Sequence, residues 1–477
     1  MDALALALAV ALPWSVGCAA LLAARWPVRF DGHERAPGRI ALVLGYGYFI
    51  GVFILTAWMR VLSAFGLGFG RLAIGAPLLI VVLVGLWLKR SRFAPARLRA
   101  FALSIVRPPL PKWQQIAWAA LLAWFALRFA TLAIEVASRP LYPWDAFAQW
   151  APKARVWYAL GRMAPFVPAD AWLGGASGAY FDAAPASPAT VPLLQAWGAI
   201  ALGHWDDSAI NWPWLFMLAA LALAVYGMLR DNKLPPLGAL TGAYVVASLP
   251  LLDAHVALAG YPDLLLTGAY TLSALAVHRW ALKRDMRDAA LAALLALSCL
   301  FIDVSGSVWL ITLVPGAIVA VAPGRGLKLL AWLFAAAALA LLALAGGIPV
   351  FPGVGWHFAS PWRSLAEGYF LRDNWHLLWY GAMALAIVGA PRLLRPPIAA
   401  LTAIVASALA WLLVASMFSQ DIARWIPEAT VINRASLHVA PLVACVCMLL
   451  WRELTVRQAQ PAAPTVCAPE AALAADA

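Results

Sequence analysis

The sequence predicts an all-α polytopic membrane protein with about 13 transmembrane helices and a large outer loop carrying interfacial helices. Three observations predict it. Apolar residues make up 64% of the 477-residue chain and charged residues only 12%, where a soluble protein carries about 25% charged residues. Long apolar runs recur from Leu4 to Trp451, and a helix that spans the bilayer needs about 20 such residues. The cations gather in alternate short loops between these runs, as orientation in a bilayer requires. The same placement accounts for the net charge of +12, so a nucleic-acid partner is excluded.

The first run, 3–24, starts after Asp2, lacks a positive leading segment and exceeds the roughly 7–15 apolar residues of a signal peptide. It reads as a retained membrane helix. Further spans are predicted near 40–59, 72–88, 113–136, 212–229, 237–254, 264–280, 288–302, 306–322, 327–347, 374–390, 398–418 and 437–451, with the 288–322 pair the weakest. Segment 191–203, VPLLQAWGAIALG, is short for a span and reads as a re-entrant or interfacial helix. With that segment not crossing and the N-terminus outside, 23 Lys/Arg fall on inner loops and 10 on outer ones, with Arg128 inside a span. A crossing there would invert the later loops and place twelve cations outside against four inside, so the positive-inside rule favours the non-crossing arrangement. The tail and the 278–288 loop then lie inside.

Four regions follow. Residues 1–112 form a three-helix membrane region ending in the basic loop from Lys89 to Lys112. Residues 113–322 hold the polar residues at membrane boundaries and the Trp-, Pro- and Gly-rich outer loop 138–211. Residues 323–457 are C-terminal membrane helices, and 458–477 have the composition of a disordered tail. The five cysteines (Cys18, Cys299, Cys445, Cys447, Cys467) make no disulfide framework. Cys445 and Cys447, two apart on a helix, point in different directions. No histidine spacing suits a metal, so neither a metal nor a cofactor is expected.

Four constellations carry candidate chemistry. The first is Tyr142-Pro-Trp-Asp145-Ala-Phe-Ala-Gln-Trp150-Ala-Pro-Lys153-Ala-Arg155-Val-Trp157-Tyr158. Asp145 among aromatic rings is shielded from water and suited to base work. Trp144 and Trp150 can stack on sugar faces, and Lys153 and Arg155 can hold a phosphate. An interfacial aromatic belt is the bland alternative. The second is Gly260-Tyr261-Pro262-Asp263, where Asp263 either caps the following helix or acts directly. The third is Phe301-Ile-Asp303-Val-Ser-Gly306, an acid in apolar surroundings or simply at a helix break. In the fourth, Asn433-Arg434-Ala-Ser-Leu-His438, the two basic residues are four apart on one expected helix face, able to grip a lipid phosphate or anchor the helix. Asp206-Asp207 reads as a helix-start signal.

The order of WDAFAQWAPKARVWY, PATVPLLQAWGAIALGHWDD, LPLLDAHVALAGYPDLLL and FIDVSGSVWLITLVPG resembles the bacterial GT-C membrane glycosyltransferases, the group that includes protein mannosyltransferases and lipid A aminoarabinose transferases. The likeness covers roughly 113–322. It implies a GT-C-like catalytic module, a polyprenyl-phosphate-linked sugar donor, and a lipid, glycan or protein acceptor. It also implies a catalytic acid in the first large outer loop, which falls on Asp145. Where such relatives often carry a Thr-Lys-x-Glu-Gly-like stretch, this chain reads Ile302-Asp303-Val304-Ser305-Gly306. Ser187-Pro188 stands where His-Pro or Tyr-Pro is common. The expected activity is inverting sugar transfer at the periplasmic face of a bacterial inner membrane, with Asp145 catalytic and Trp144, Trp150, Lys153, Arg155, Tyr261, Asp263, Arg434 and His438 binding substrate. The alternatives are a lipid-sugar flippase or small-molecule transporter, and an inactive scaffold of the same type.

Overall fold

The structure, a computed structural model, describes residues 2–27, 38–88, 110–345, 362–418 and 430–458. The basic loop from Lys89 to Arg107, the tail from Ala459 and Cys467 lie outside the described residues. Within them the chain is almost wholly helical. In order, the helices are α1 (Asp2–Ala23), α2 (Arg39–Ala64), α3 (Arg71–Leu88), α4 (Lys112–Ser138), α5 (Ala151–Leu160), α6 (Ala169–Leu173), α7 (Thr190–Leu202), α8 (Trp212–Asp231), α9 (Pro236–Ala247) and α10 (Pro250–Ala257). They continue as α11 (Asp263–Lys283), α12 (Met286–Leu300), α13 (Gly306–Val321), α14 (Pro323–Ala345), α15 (Trp362–Ala366), α16 (Leu378–Leu393), α17 (Ala399–Phe418), α18 (Thr430–Leu437) and α19 (Ala440–Gln458). A two-residue parallel bridge in the large loop, Phe166–Val167 with Tyr180–Phe181, is the sheet content among the described residues.

Seven helices are long and apolar enough to cross a membrane, or eight if one bent pair counts as a span. The other predicted spans are also helices, but shorter or more polar. The exposure pattern shows what surrounds them: α2 and α8 are 72% buried, whereas α4 and α14 are 11% and 6% buried although equally apolar. Trp124 and Leu127 of α4 and Trp332 and Leu339 of α14 face outward, an apolar surface that only lipid tails would cover. The protein is therefore an all-α membrane protein. Close backbone approach binds its centre, because lipid gives no hydrophobic drive for helix pairing. A β-carbon at Gly17 of α1 would collide with the Gly47 carbonyl oxygen, and one at Gly51 of α2 with that of Pro13.

The predicted span 237–254 is not one helix. Leu249 is extended ahead of Pro250, so the chain breaks between α9 and α10 and turns by 59°. The Arg128 guanidinium, on α4, fills the break: its Nη2 donates to the Ser248 carbonyl at 3.0 Å and pairs with Asp253. Segment 191–203 is α7. Its 13 residues are all buried, packed on α1, α2 and α5, and at 1.5 Å per residue it is only about 20 Å long.

Long-range contacts sort the helix termini into two ends. At one end Trp26 donates to Asp288 at 2.6 Å, Arg287 reaches Arg25, and Arg284 bonds Ala320. Arg279, nearly inaccessible, pairs there with Asp231 and with Asp288 at 3.0 Å. At the other end Arg60 reaches Thr190 at 2.8 Å, Arg71 bonds the Ile200 carbonyl, and Ser208 bonds Arg139. The large loop after α4 belongs to this second end, and the candidate site lies under it.

Candidate functional site

After α4 the chain leaves the helix at Arg139, in extended conformation, and Pro140 and Pro143 keep it from resuming until Trp144. Residues 146–150 then form one π-turn, with the Ala151 N–H bonded to the Ala146 carbonyl. Pro152 lies in the first turn of α5 and has no N–H to continue tighter pairing. Such π-turns often mark functional sites. This one sets Asp145 half-exposed at the loop's inner edge while Ala146 is fully buried.

Ala146 is buried because Gly260 meets it. Gly260 has φ +108°, a backbone state that suits glycine. A β-carbon there would lie 2.7 Å from the Ala146 Cβ and 3.0 Å from Leu141. The chain between α10 and α11 therefore presses directly on the Asp145 turn and delivers Tyr261 and Asp263 beside it. Gly260→Ala is expected to cost about 1–3 kcal/mol of strain and to push Asp145 off position. Thermal unfolding in detergent measures the first effect, and turnover on the candidate donor measures the second.

Arg434 joins the three. Its Nη2 and Nε donate to the two Asp263 carboxylate oxygens at 2.9 and 3.2 Å, and its Nη1 donates to Asp145 Oδ2 at 3.1 Å. The guanidinium carbon lies 4.8 Å from the centre of the Tyr261 ring, a cation–π contact. Two carboxylates thus share one guanidinium, and their environments differ. The Asp263 side chain is 8% exposed, against 37% for Asp145 and 41% for Arg434. Burial alone would weaken the proton affinity of Arg434, but Asp263 and then Asp145 outweigh it and hold the group above the usual arginine range. Burial, followed by the neighbouring Asp145 carboxylate, pushes the Tyr261 phenol upward. The Tyr261 carbonyl accepts the Trp214 indole N–H at 2.8 Å, fixing the loop to α8.

Asp263 is therefore not a helix cap. It is the first residue of α11, no side-chain cap bond forms there, and its oxygens face Arg434. His438 does not continue the Arg434 face, because α18 ends at Leu437 and the chain turns before α19. His438 is buried, sharing a hydrogen bond with Thr267 at 2.8 Å and lying edge-on to Trp309. From the far side, Tyr369 bonds Ser436 at 2.6 Å and the Trp375 indole donates to Asn433, so α18 is held on both faces.

Of the remaining predicted residues, Lys153, Trp150 and Arg155 lie apart from this cluster. Lys153 is 2% exposed. It pairs with the buried Asp182 at 2.5 Å and donates to the Ala184 carbonyl, so its charge is already matched inside the loop and it pins residues 182–184 to α5. Trp150 is buried beside it, whereas Trp144 stands 72% exposed next to Asp145. Arg155 is exposed on α5 with its guanidinium over the Trp205 ring. Asp303 lies in the turn between α12 and α13, accepting the Ser305 N–H at 2.8 Å. Asp206 accepts the Ser208 and Ala209 N–H groups as a helix start. Sequence reasoning missed Asp182, in the motif-free stretch FDAAP, and the pairing of Arg128 with Asp253. Among the described residues no three His, Cys, Asp or Glu side chains gather to hold a metal.

Compared with known proteins, the chain matches no family model, no curated protein and no solved structure. The functional reading therefore rests on this geometry.

Proposed function

We propose that the protein is an inverting glycosyltransferase that moves a sugar from a polyprenyl-phosphate-linked donor to an acceptor hydroxyl at the outer, periplasmic face of a bacterial inner membrane. The observation that carries the reading is the Arg434 fork between a buried Asp263 and a half-exposed Asp145. Asp263 holds two guanidinium nitrogens in a dry setting and orients the group. The third nitrogen, on Asp145, is the exchangeable arm. A donor phosphate arriving at the mouth takes that arm, because an arginine fork matches phosphate oxygens as well as carboxylate. Asp145 is then released from its cation and becomes a free base.

In the transfer step the acceptor hydroxyl gives its proton to an Asp145 oxygen while its own oxygen forms the new bond to C1 of the sugar. The bond from C1 to the phosphate oxygen breaks with inversion, and polyprenyl phosphate leaves with the electron pair. Arg434 stabilises the charge that grows on that oxygen. Trp144 and Tyr261 supply rings for sugar contact at the mouth.

This assignment belongs with thirteen crossings and the site end outside, since the opposite end holds Arg25 and the cation-rich loop 278–288. Met286, the first residue of α12 and 69% exposed, tests it. In a background lacking reactive native thiols, Met286→Cys is expected to resist an impermeant thiol reagent in intact cells and to react after lysis. Reaction in intact cells would reverse the orientation.

One observation favours a competing reading as a lipid-sugar transporter: the broken pair α9–α10 with its Arg128–Asp253 ion pair, since transporters place ionisable groups at broken helices. Reconstituted protein given a donor and candidate acceptors separates the two. Transfer adds one glycosyl mass to the acceptor, and transport leaves the acceptor unchanged while moving the donor across the bilayer.

A further inference from the structure

The last turn of α10 carries a histidine beside the Arg434 cluster. α10 packs on α4, α8, α11 and α18, and the Arg128–Asp253 pair fixes its first turn. Two residues on, His255 is 8% exposed. Its ring centre lies 5.8 Å from that of Tyr261, tilted by 54°, and it is close enough to Asp263 for a charge on one to be felt at the other. Tyr261 and Asp263 both hold the Arg434 guanidinium, so His255 adjoins the cluster from the α10 side.

Geometry sets which nitrogen is protonated. Nδ1 lies 2.7 Å from the Leu251 carbonyl oxygen. A carbonyl only accepts, so Nδ1 carries the hydrogen and Nε2 of the neutral ring is a lone-pair acceptor. Among the described residues nothing donates to Nε2, although buried polar atoms normally have partners. The other buried histidines are engaged differently. His278 meets Asn232 at 3.2 Å through Nε2, and its idle Nδ1 is sealed from solvent. His438 packs against Trp309 rather than Tyr261. His255 Nε2 is unpartnered without being sealed, and the Tyr261 ring beside it belongs to the mouth where Asp145 and Arg434 are half-exposed.

We propose that His255 is a specificity-determining residue of this site, its Nε2 accepting a hydrogen bond from one hydroxyl of the donor sugar beside Tyr261. The inference rests on the reading of the cluster as a sugar-transfer site. A sugar ring offers hydroxyl donors at its rim and an apolar face, and an acceptor nitrogen next to an aromatic ring matches both. The lipid phosphate is not its ligand, because a neutral lone pair does not hold an anion. A largely buried acceptor also discriminates, since a sugar that lacks or inverts the matching hydroxyl leaves Nε2 unpaired.

The test is ligand binding to the full chain purified in detergent, measured by native mass spectrometry. The probes are bare polyprenyl phosphate and polyprenyl phosphate carrying glucose, mannose, galactose or N-acetylglucosamine. Wild type is expected to bind one sugar form more tightly than the bare lipid phosphate. His255→Asn keeps an N–H donor where Nδ1 stands and loses the reach of Nε2. It should bind that sugar form about three- to tenfold more weakly, with affinity for bare polyprenyl phosphate unchanged. His255→Gln places an amide at the Nε2 position and should keep part of the preference. Were His255 only a tie for α10 through Leu251, the order would reverse, with Asn harmless and Gln weakening both ligands alike, and that order overturns the proposal. A preference unchanged in His255→Asn, or no sugar preference in wild type, also overturns it while leaving the phosphate role of Arg434 standing. Equal binding of bare polyprenyl phosphate by wild type and Arg434→Ala would instead overturn the transfer reading, and this inference with it. Thermal unfolding of both His255 variants in detergent confirms that folded proteins are compared.

Discussion

Asp145→Asn is expected to lower turnover at least a hundredfold while the protein still folds and binds donor. General base catalysis contributes about 10²–10⁴-fold, and the substitution keeps the side-chain shape while removing its proton affinity. Folding should survive because Asp145 is half-exposed and supplies one of the three guanidinium contacts, the other two being made by Asp263. Donor affinity should hold or rise slightly, since a neutral amide competes less well than a carboxylate for the Arg434 arm. Turnover and donor binding measured on the same preparation separate the two effects. Near-normal turnover in Asp145→Asn would move the base elsewhere in the cluster.

The second large effect falls on Arg434 and Asp263 together. Arg434→Ala removes a charge-assisted contact to the donor phosphate worth about 1.5–3 kcal/mol, so donor affinity should fall roughly 10- to 150-fold. It also leaves the buried Asp263 carboxylate without its partner, a loss of the kind that costs about 3–5 kcal/mol of stability. Asp263→Asn should give a milder version of both. Arg434 keeps its charge and still reaches water, so stability falls by about 1–3 kcal/mol, while the misaimed guanidinium weakens donor use. Were Asp263 only a helix cap, that variant would lose about 1 kcal/mol and keep its activity. Donor titration with thermal unfolding in detergent therefore distinguishes orientation of Arg434 from capping.

How much of this was legible in the sequence follows the range of each signal. Apolar runs of membrane length are local, so the predicted spans are helices in the structure, with 237–254 the one broken in two, and segment 191–203 is the buried 13-residue helix α7. The break at Ser248–Leu249 was written in Pro250, but the apolar run continues through it and masked it. Asp145, Tyr261, Asp263 and Arg434 were each legible as polar residues at membrane boundaries. Their assembly was not, because contacts such as Arg434 with Asp145 join residues 289 apart. The i,i+4 argument for Arg434 and His438 fails because it assumes an unbroken helix, whereas α18 ends at Leu437 and a new helix begins at Ala440 with Pro441 in its first turn. Lys153 has the sequence context of a phosphate ligand because Asp182, its buried partner, has no motif to announce it.

The central claim is that this cluster transfers sugar from a polyprenyl-phosphate donor. Its most direct test is incubation of purified wild-type protein, with an acceptor extract, on a panel of polyprenyl-phosphate sugars, measuring free polyprenyl phosphate. Release is expected with one donor sugar, matched by an equal amount of glycosylated acceptor of inverted anomeric configuration, and abolished in Asp145→Asn. Absence of release across the panel, or release that Asp145→Asn leaves intact, would contradict the account.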